Sequence, residues 1–411
     1  MIAVTVDEAL HLWNEALREQ HHKIESIAVG DAKGYIVAND VLAPTDVPAF
    51  HKSAMDGYTL AYDSNCNDYI VDGIIGAGVV WDKPVRTGHA VRIMTGAPVP
   101  SDCDTVIMQE QVQGTGEMGT TITVQGHQQK GSHIIPRGEE CSAGTVVIPK
   151  GTEVTATVQT ILTGLGFTTV SVYAMPRILV LTSGHEVIEP GEPLVAGKIY
   201  NSNRMMICSL LEDLGFQCIT HYHVSDLPDT LDAEIDRILA LSEQADIIIS
   251  SGGVSVGMFD TMPLIYEKLG AKTLYGRIQM RPGAAFYGAV TPKGQLIFGL
   301  SGNPGAAFNG WHLLVVPTLR RYKGIKNWST PVLNCVMDCE VSKRNAFDRY
   351  VQGKVIFGDG QPRFVANCHF NSSSMLSLYT VNALACIPQG VHEVHEGDIF
   401  KVYLLGILPT I

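Results

Sequence analysis

The 411-residue sequence is short of charge: charged residues make up 17% of it, and 29 lysines and arginines face 41 aspartates and glutamates, a net charge of −12. A broad nucleic-acid-binding face needs the opposite sign and is excluded, although backbone N–H groups with one or two basic residues still hold a small anion on an acidic protein. No apolar run reaches 18 residues, and the opening MIAVTVDEALHLW carries Asp7 and Glu8 where a signal peptide is basic and then apolar. Neither export nor membrane insertion is therefore expected. CxxC pairs are absent; the nine cysteines are scattered and odd in number, and Cys335 with Cys339 has no second pair to complete a ligand set. This argues against a disulfide framework or a zinc site and for reduced thiols in a cytoplasm. His221 and His223 share one strand face without a carboxylate or cysteine at ligand spacing, so they read as packed or surface histidines.

What is present centres on DIIISSGGVSVGMFD, Asp246 to Asp260. Ile247, Ile248 and Ile249 are β-branched without polar alternation, the pattern of a strand buried on both faces of a parallel sheet. Ser250, Ser251, Gly252, Gly253, Ser255 and Gly257 follow, a composition that bares backbone N–H groups and hydroxyls at the strand's carboxyl end, where open α/β sheets bind ligands. Asp260 then stands before a helical pattern. It is either a helix cap or a carboxylate that bridges a metal to an anion in the turn.

The rest of the chain frames that turn. Thr5 with Glu8 forms a capping box for an amphipathic helix over residues 5–20, and Ile24 to Val29 reads as a strand. Pro44 and Pro48 force an extended path into SAMDGY, where Asp56-Gly57 is a turn dipeptide. Short alternating runs separated by glycine over 68–150 suggest one or two small β domains, with Thr95 at a strand tip and Glu139-Glu140 near a turn. From Met175 strands and helices alternate, giving a doubly wound α/β domain of about 150 residues. Its strand-end loops carry Glu186, Asp226 and Asp260, and others carry Arg281 and Ser301-Gly302-Asn303. Carboxylates converging with anion-friendly loops at one sheet edge point to Mg²⁺ bridged to phosphate. Residues 327–411 alternate polar and apolar through five segments and read as a small β-barrel or sandwich.

The motifs SAMDGY (53–58), RIMTGAPVP (92–100), PRGEECSAG (136–144), TSGHE (182–186), IYNSNR (199–204), DIIISSGGVSVG (246–257), RPG (281–283) and GLSGNPGAAF (299–308) occur in one order across the chain. In this the sequence resembles the molybdopterin molybdenumtransferase family, which includes the gephyrin E domain. The resemblance implies a multidomain α/β plus β protein. An elongated linker domain (1–48 and 137–174) and an inserted β domain (49–136) form a bipartite, mostly-β N-terminal region. A molybdopterin-binding α/β domain (175–326) and a C-terminal β-barrel (327–411) follow. It implies a homodimer whose site is shared between subunits, adenylylated molybdopterin and molybdate as substrates, Mg²⁺ as cofactor, and an upstream adenylyltransferase as supplier. Carried over residue by residue, Asp56, Glu186, Asp226 and Asp260 are the catalytic candidates, the last three also the metal ligands. Thr95, Ser250, Gly252, Gly253, Ser255, Arg281, Ser301, Gly302 and Asn303 are the candidates for binding phosphate or pterin.

The sequence departs from the family pattern at two lysines. Asp260-Thr261-Met262-Pro263 stands where the family has Asp-Tyr-Thr-Lys, and Arg281-Pro282-Gly283-Ala284-Ala285 where it has Lys-Pro-Gly-Lys-Pro. Each lost charge-assisted hydrogen bond weakens anion binding by about 1.5–3 kcal/mol unless Lys198, Arg204 or Arg277 substitutes. Two other readings follow from that loss or from the module itself: a catalytically weak paralogue that carries molybdopterin, and a phosphohydrolase acting on a related nucleotide.

Overall fold

The computed structural model describes residues 3–18, 23–225, 231–254, 261–342, 346–358, 360–367 and 372–406. It divides into two compact units, one of Met1–Ala38, Gly151–Thr155 and Thr169–Ile411, the other of Asn39–Lys150 and Ala156–Thr168. In the first unit a six-stranded sheet contains β1 (Ile178–Ser183), β2 (Ile219–Val224), β3 (Ile247–Ser251), β4 (Lys272–Tyr275), β5 (Tyr287–Val290) and β6 (Leu296–Leu300) in the order β2-β1-β3-β6-β5-β4. The first four in that order are parallel, β5 pairs antiparallel with β6, and β4 antiparallel with β5 at the edge. Every residue of β1, β3 and β6 is buried. That is what unbroken apolar runs such as Ile247–Ile249 predict for strands covered on both faces.

Helices cover those faces: α1 (Ser202–Asp213), α2 (Leu231–Ser242), α3 (Met262–Lys268), α4 (Pro304–Gly310) and α5 (Val316–Tyr322). Alternation along the strands divides the core. Ile178, Val180, Ile247, Ile249 and Phe298 pack with Ile207 and Leu211 of α1. Leu179, Leu181, Ile248 and Ile297 pack with Ile235 and Ile238 of α2 and Ile265 and Tyr266 of α3. The sequence predicts one final helix over about 304–321; the structure interrupts it with a π-turn at Trp311–Val315 between α4 and α5.

The N-terminal helix, Val6–Ala16, has the predicted Thr5–Glu8 capping box and belongs to the α/β core. Trp13 is 1% exposed, stacks near Phe298 with ring centroids 4.5 Å apart and donates from Nε1 to the Tyr275 hydroxyl at 2.6 Å. Toward the C-terminus of the chain the barrel-or-sandwich choice resolves as a closed barrel of five strands. Val332–Met337 pairs with Ile399–Leu404, which pairs with Ala383–Ile387, then Asp348–Ile356, then Arg363–Ala366, which returns to Val332–Met337. Cys335, Met337, Val351, Phe364, Ala385 and Val402 fill it.

The second unit holds another six-stranded sheet, in the order Thr105–Met108, Gly57–Leu60, His89–Ile93, Asp68–Ile75, Thr121–Val124 and Val112–Gln113. Gly57 pairs with Ile93, so the residues just outside that pair, Asp56 and Thr95, meet at one end of the sheet.

Candidate functional site

A cleft of about 460 Å³ opens at the carboxyl ends of β1, β3 and β6, within the size range of small-molecule sites. Three turns build it. After β1 the chain passes through Gly184, whose φ of +134° suits glycine, and a Cβ there would stand 2.7 Å from a Glu186 carboxylate oxygen. The missing side chain lets Glu186 fold back over its own turn. After β3, Gly252 has φ +89° and presses on the end of β1, where a Cβ would meet the Ser183 carbonyl oxygen at 2.6 Å. Its N–H donates to the Leu300 carbonyl at 3.2 Å, so Gly252 offers a ligand close approach rather than a free donor. After β6 come Ser301, Gly302 and Asn303, all in the lining, with the Asn303 N–H donating to Ser301 Oγ at 3.3 Å.

The start of α1 ties these turns together. Asn201 caps the helix by accepting from the Arg204 N–H at 3.2 Å, and its Nδ2 donates to Thr182 Oγ1 at 2.9 Å and to Glu189 at 3.0 Å. Two residues on, Asn203 Nδ2 donates to Ser251 Oγ and to the Gly302 carbonyl, each at 2.8 Å. Arg204 pairs with Glu189 at 2.7 Å and lies 3.0 Å from His221 Nε2, while His223 Nδ1 lies 3.1 Å from Thr182 Oγ1. The two histidines are thus packing partners of the cleft wall.

Of the residues singled out from the sequence, Glu186, Gly252, Gly253, Ser301, Gly302 and Asn303 line the cleft. Ser250 does not. It shares the strand face of Ile248, and its Oγ bonds the buried Tyr266 hydroxyl behind the sheet; the adjacent Ser251 faces the cleft instead. The motif gives both serines, but only the strand register shows which one turns inward. Arg281 is also outside the lining. It is exposed on Met280–Arg281, which pairs with Asp348 and Arg349, and Ala285 takes the place in the wall. Of the three alternative cations, Lys198 Nζ bonds the carbonyl of His185, a lining residue, Arg204 is tied to Glu189, and Arg277 is exposed on a two-residue strand paired with Ala3–Val4. Asp226, Ser255 and Asp260 lie outside the described residues.

Ser183, Asn201 and Asn203 were not named as site residues, and Ser251 only as part of the turn's composition, although all lie within quoted motifs. Polar residues ending an apolar run, as Thr182 and Ser183 end ILVLTS, are the signal that could have found the first. In the second unit Asp56 Oδ1 accepts from the Thr95 N–H at 2.7 Å and from its hydroxyl at 2.8 Å. These two bonds hold the exposed carboxyl below its ordinary pKa. Asp56 and Thr95, named from separate motifs as a catalytic and a binding candidate, are in direct contact.

A model of the MoeA N-terminal region (domains I and II) matches residues 4–166, one of a probable molybdopterin binding domain matches 179–321, and one of the MoeA C-terminal region (domain IV) matches 334–405. A molybdopterin molybdenumtransferase of Staphylococcus epidermidis is 32% identical over 98% of this chain and 95% of its own length. The chain belongs to the MoeA family. A Staphylococcus aureus protein of the same name is 33% identical over 92% of this chain and 90% of its own. Two crystal structures of Pyrococcus horikoshii molybdopterin biosynthesis MoeA protein share the fold at 24% identity, with TM-scores of 0.82 and 0.78 over 99% and 98% of this chain and 100% of theirs. The cleft lies in the segment matched by the molybdopterin-binding model.

Proposed function

We propose that the protein is a molybdopterin molybdenumtransferase of molybdenum cofactor biosynthesis, inserting molybdate into adenylylated molybdopterin with release of AMP. One observation carries this reading: the three family models follow one another across residues 4–405, and the molybdopterin-binding one contains the polar cleft at the sheet's carboxyl edge. Gly252 and Gly253 admit the ligand against the backbone, and Ser251, Ser301, Gly302 and Asn303 supply the polar wall that orients it.

Mg²⁺ belongs to the same reading, held by Glu186, Asp226 and Asp260, since carboxylate oxygens are its usual protein ligands. Bound there it would neutralise charge on the phosphates. Glu186 lines the cleft; among the described residues no three His, Cys, Asp or Glu side chains come together as a metal site. Lys198, which bonds the lining residue His185, is a candidate to stand in for the two absent lysines. A homodimer in which Asp56 and Thr95 of one subunit act on ligand held by the other, an upstream adenylyltransferase and the four-domain division rest on the family resemblance; a cytoplasmic location rests on the scattered cysteines. Among the described residues no helix is long and apolar enough to cross a membrane.

The test is incubation of the purified full-length chain with adenylylated molybdopterin, Mg²⁺ and molybdate. Release of AMP and formation of a cofactor that activates a molybdenum-free apoenzyme are expected. Binding of the substrate without AMP release overturns the proposal.

A further inference from the structure

Among the described residues, two polar atoms in the cleft wall have no hydrogen-bond partner. Ser183, the last residue of β1, is 7% exposed and Asn203, the second residue of α1, 8%, and both line the cleft. The Asn203 amide has one orientation. The Gly302 carbonyl, 2.8 Å from Nδ2, can only accept. Ser251 Oγ, also 2.8 Å away, already donates its single hydrogen to the Ser301 carbonyl at 3.0 Å. The amide NH₂ must therefore serve both, and Oδ1, a pure acceptor, is left without a donor. Ser183 Oγ has no partner either and stands against the glycine turn, where a Cβ on Gly253 would come within 2.7 Å of it. Buried polar atoms without partners destabilise a fold, and in a native protein each calls for something that completes it.

The chemistry of the acceptor decides what that something is. Phosphate and molybdate oxygens carry lone pairs and negative charge, and they would face Oδ1 lone pair to lone pair. An N–H group satisfies it. We propose that Asn203 Oδ1 and Ser183 Oγ bind the N–H edge of an amino-substituted heterocycle, and that the ligand's phosphates lie elsewhere in the cleft. This rests on the substrate named above, which has two such edges, the lactam and amino N–H groups of the pterin and the amino group of the adenine. It gives the ligand a direction that the glycine turn alone does not.

Calorimetric titration of the full chain with 6-hydroxymethylpterin, adenosine and inorganic pyrophosphate, each alone, separates the parts. Ser183→Ala removes a hydroxyl that bonds none of the described residues, so its fold is expected to be retained; Asn203→Ala is the second variant. Both are expected to weaken one heterocycle by roughly 5–10-fold, the loss of one hydrogen bond, while pyrophosphate is unchanged. The heterocycle that is weakened identifies the ring. In turnover KM rises and kcat holds. Equal weakening of pyrophosphate, no weakening of either heterocycle by Ser183→Ala, or failure of the wild-type chain to bind either one overturns the proposal. Heterocycle-selective loss in a protein that releases no AMP leaves it standing and removes the transferase reading; normal AMP release with affinities unaffected by Ser183→Ala does the reverse.

Discussion

Asp56 in one unit and Asn203 in the other are both polar residues in family motifs, yet their surroundings are opposite. Asp56 is exposed and its Oδ1 takes two donors from Thr95, so solvent and neighbour together account for it. Asn203 is buried, has both amide hydrogens engaged and an acceptor that no described residue fills. The difference separates two ways of preparing a site. A carboxylate fixed by Thr95 is pre-aimed and keeps its charge. An unpaired acceptor waits for a ligand to finish the wall, and its cost to the fold is offset only when the ligand is there.

The sharpest way to break this contrast is to remove the wall. Gly252→Ala places a Cβ 2.6 Å from the Ser183 carbonyl oxygen at a φ of +89°. A stability loss of about 2–4 kcal/mol in urea unfolding is expected, with loss of substrate binding. An alanine variant of wild-type stability and affinity would show that the turn is not held against β1. The next largest effect concerns Asp56. Asp56→Asn keeps a carbonyl to accept the Thr95 bonds but removes the charge, so AMP release is expected to fall roughly 10²-fold with little change in melting temperature. Activity retained beside a lowered melting temperature would make Asp56 a turn fastener and nothing more.

Much of the fold is legible in the sequence because its signals are local. Three isoleucines give β3, a capping box gives the N-terminal helix, and five alternating segments give the strands of the barrel. What is not legible depends on register and distance. Nothing within residues 5–20 says that Trp13 will stack near Phe298 and bond Tyr275, because that contact spans more than half the chain. The site shows the same limit: Ser250 and Ser251 are equivalent in the motif, and pairing of Thr182 with Ser251 decides which one faces the cleft. Comparing the two serines tests that assignment. Ser250→Ala leaves the buried Tyr266 hydroxyl unpaired and is expected to cost about 1–3 kcal/mol of stability with substrate affinity unchanged. Loss of affinity in the Ser250 variant, with stability intact, would return Ser250 to the site.

His312 supplies the control that the contrast needs, since it too is buried with an unpartnered Nε2 but lies outside the cleft lining. It sits in the π-turn against Phe308, with ring centroids 4.4 Å apart. Burial, reinforced by Arg320, pushes its pKa down to about 3 from the ordinary 6.5. Below pH about 6.5 the unfolded chain therefore takes up a proton that the folded ring refuses, so stability falls as the pH drops from about 6.5 toward 3. The slope from this group is at most about 1.4 kcal/mol per pH unit. His312→Leu is expected to remove that slope from urea-unfolding curves recorded between pH 6.5 and 4.5, without altering heterocycle affinity at pH 7.5. An identical slope in the variant would mean that the ring is protonated in the fold. A change in affinity would mean that an unpaired buried group can tune the cleft without lining it, and the distinction drawn from Asn203 would fail.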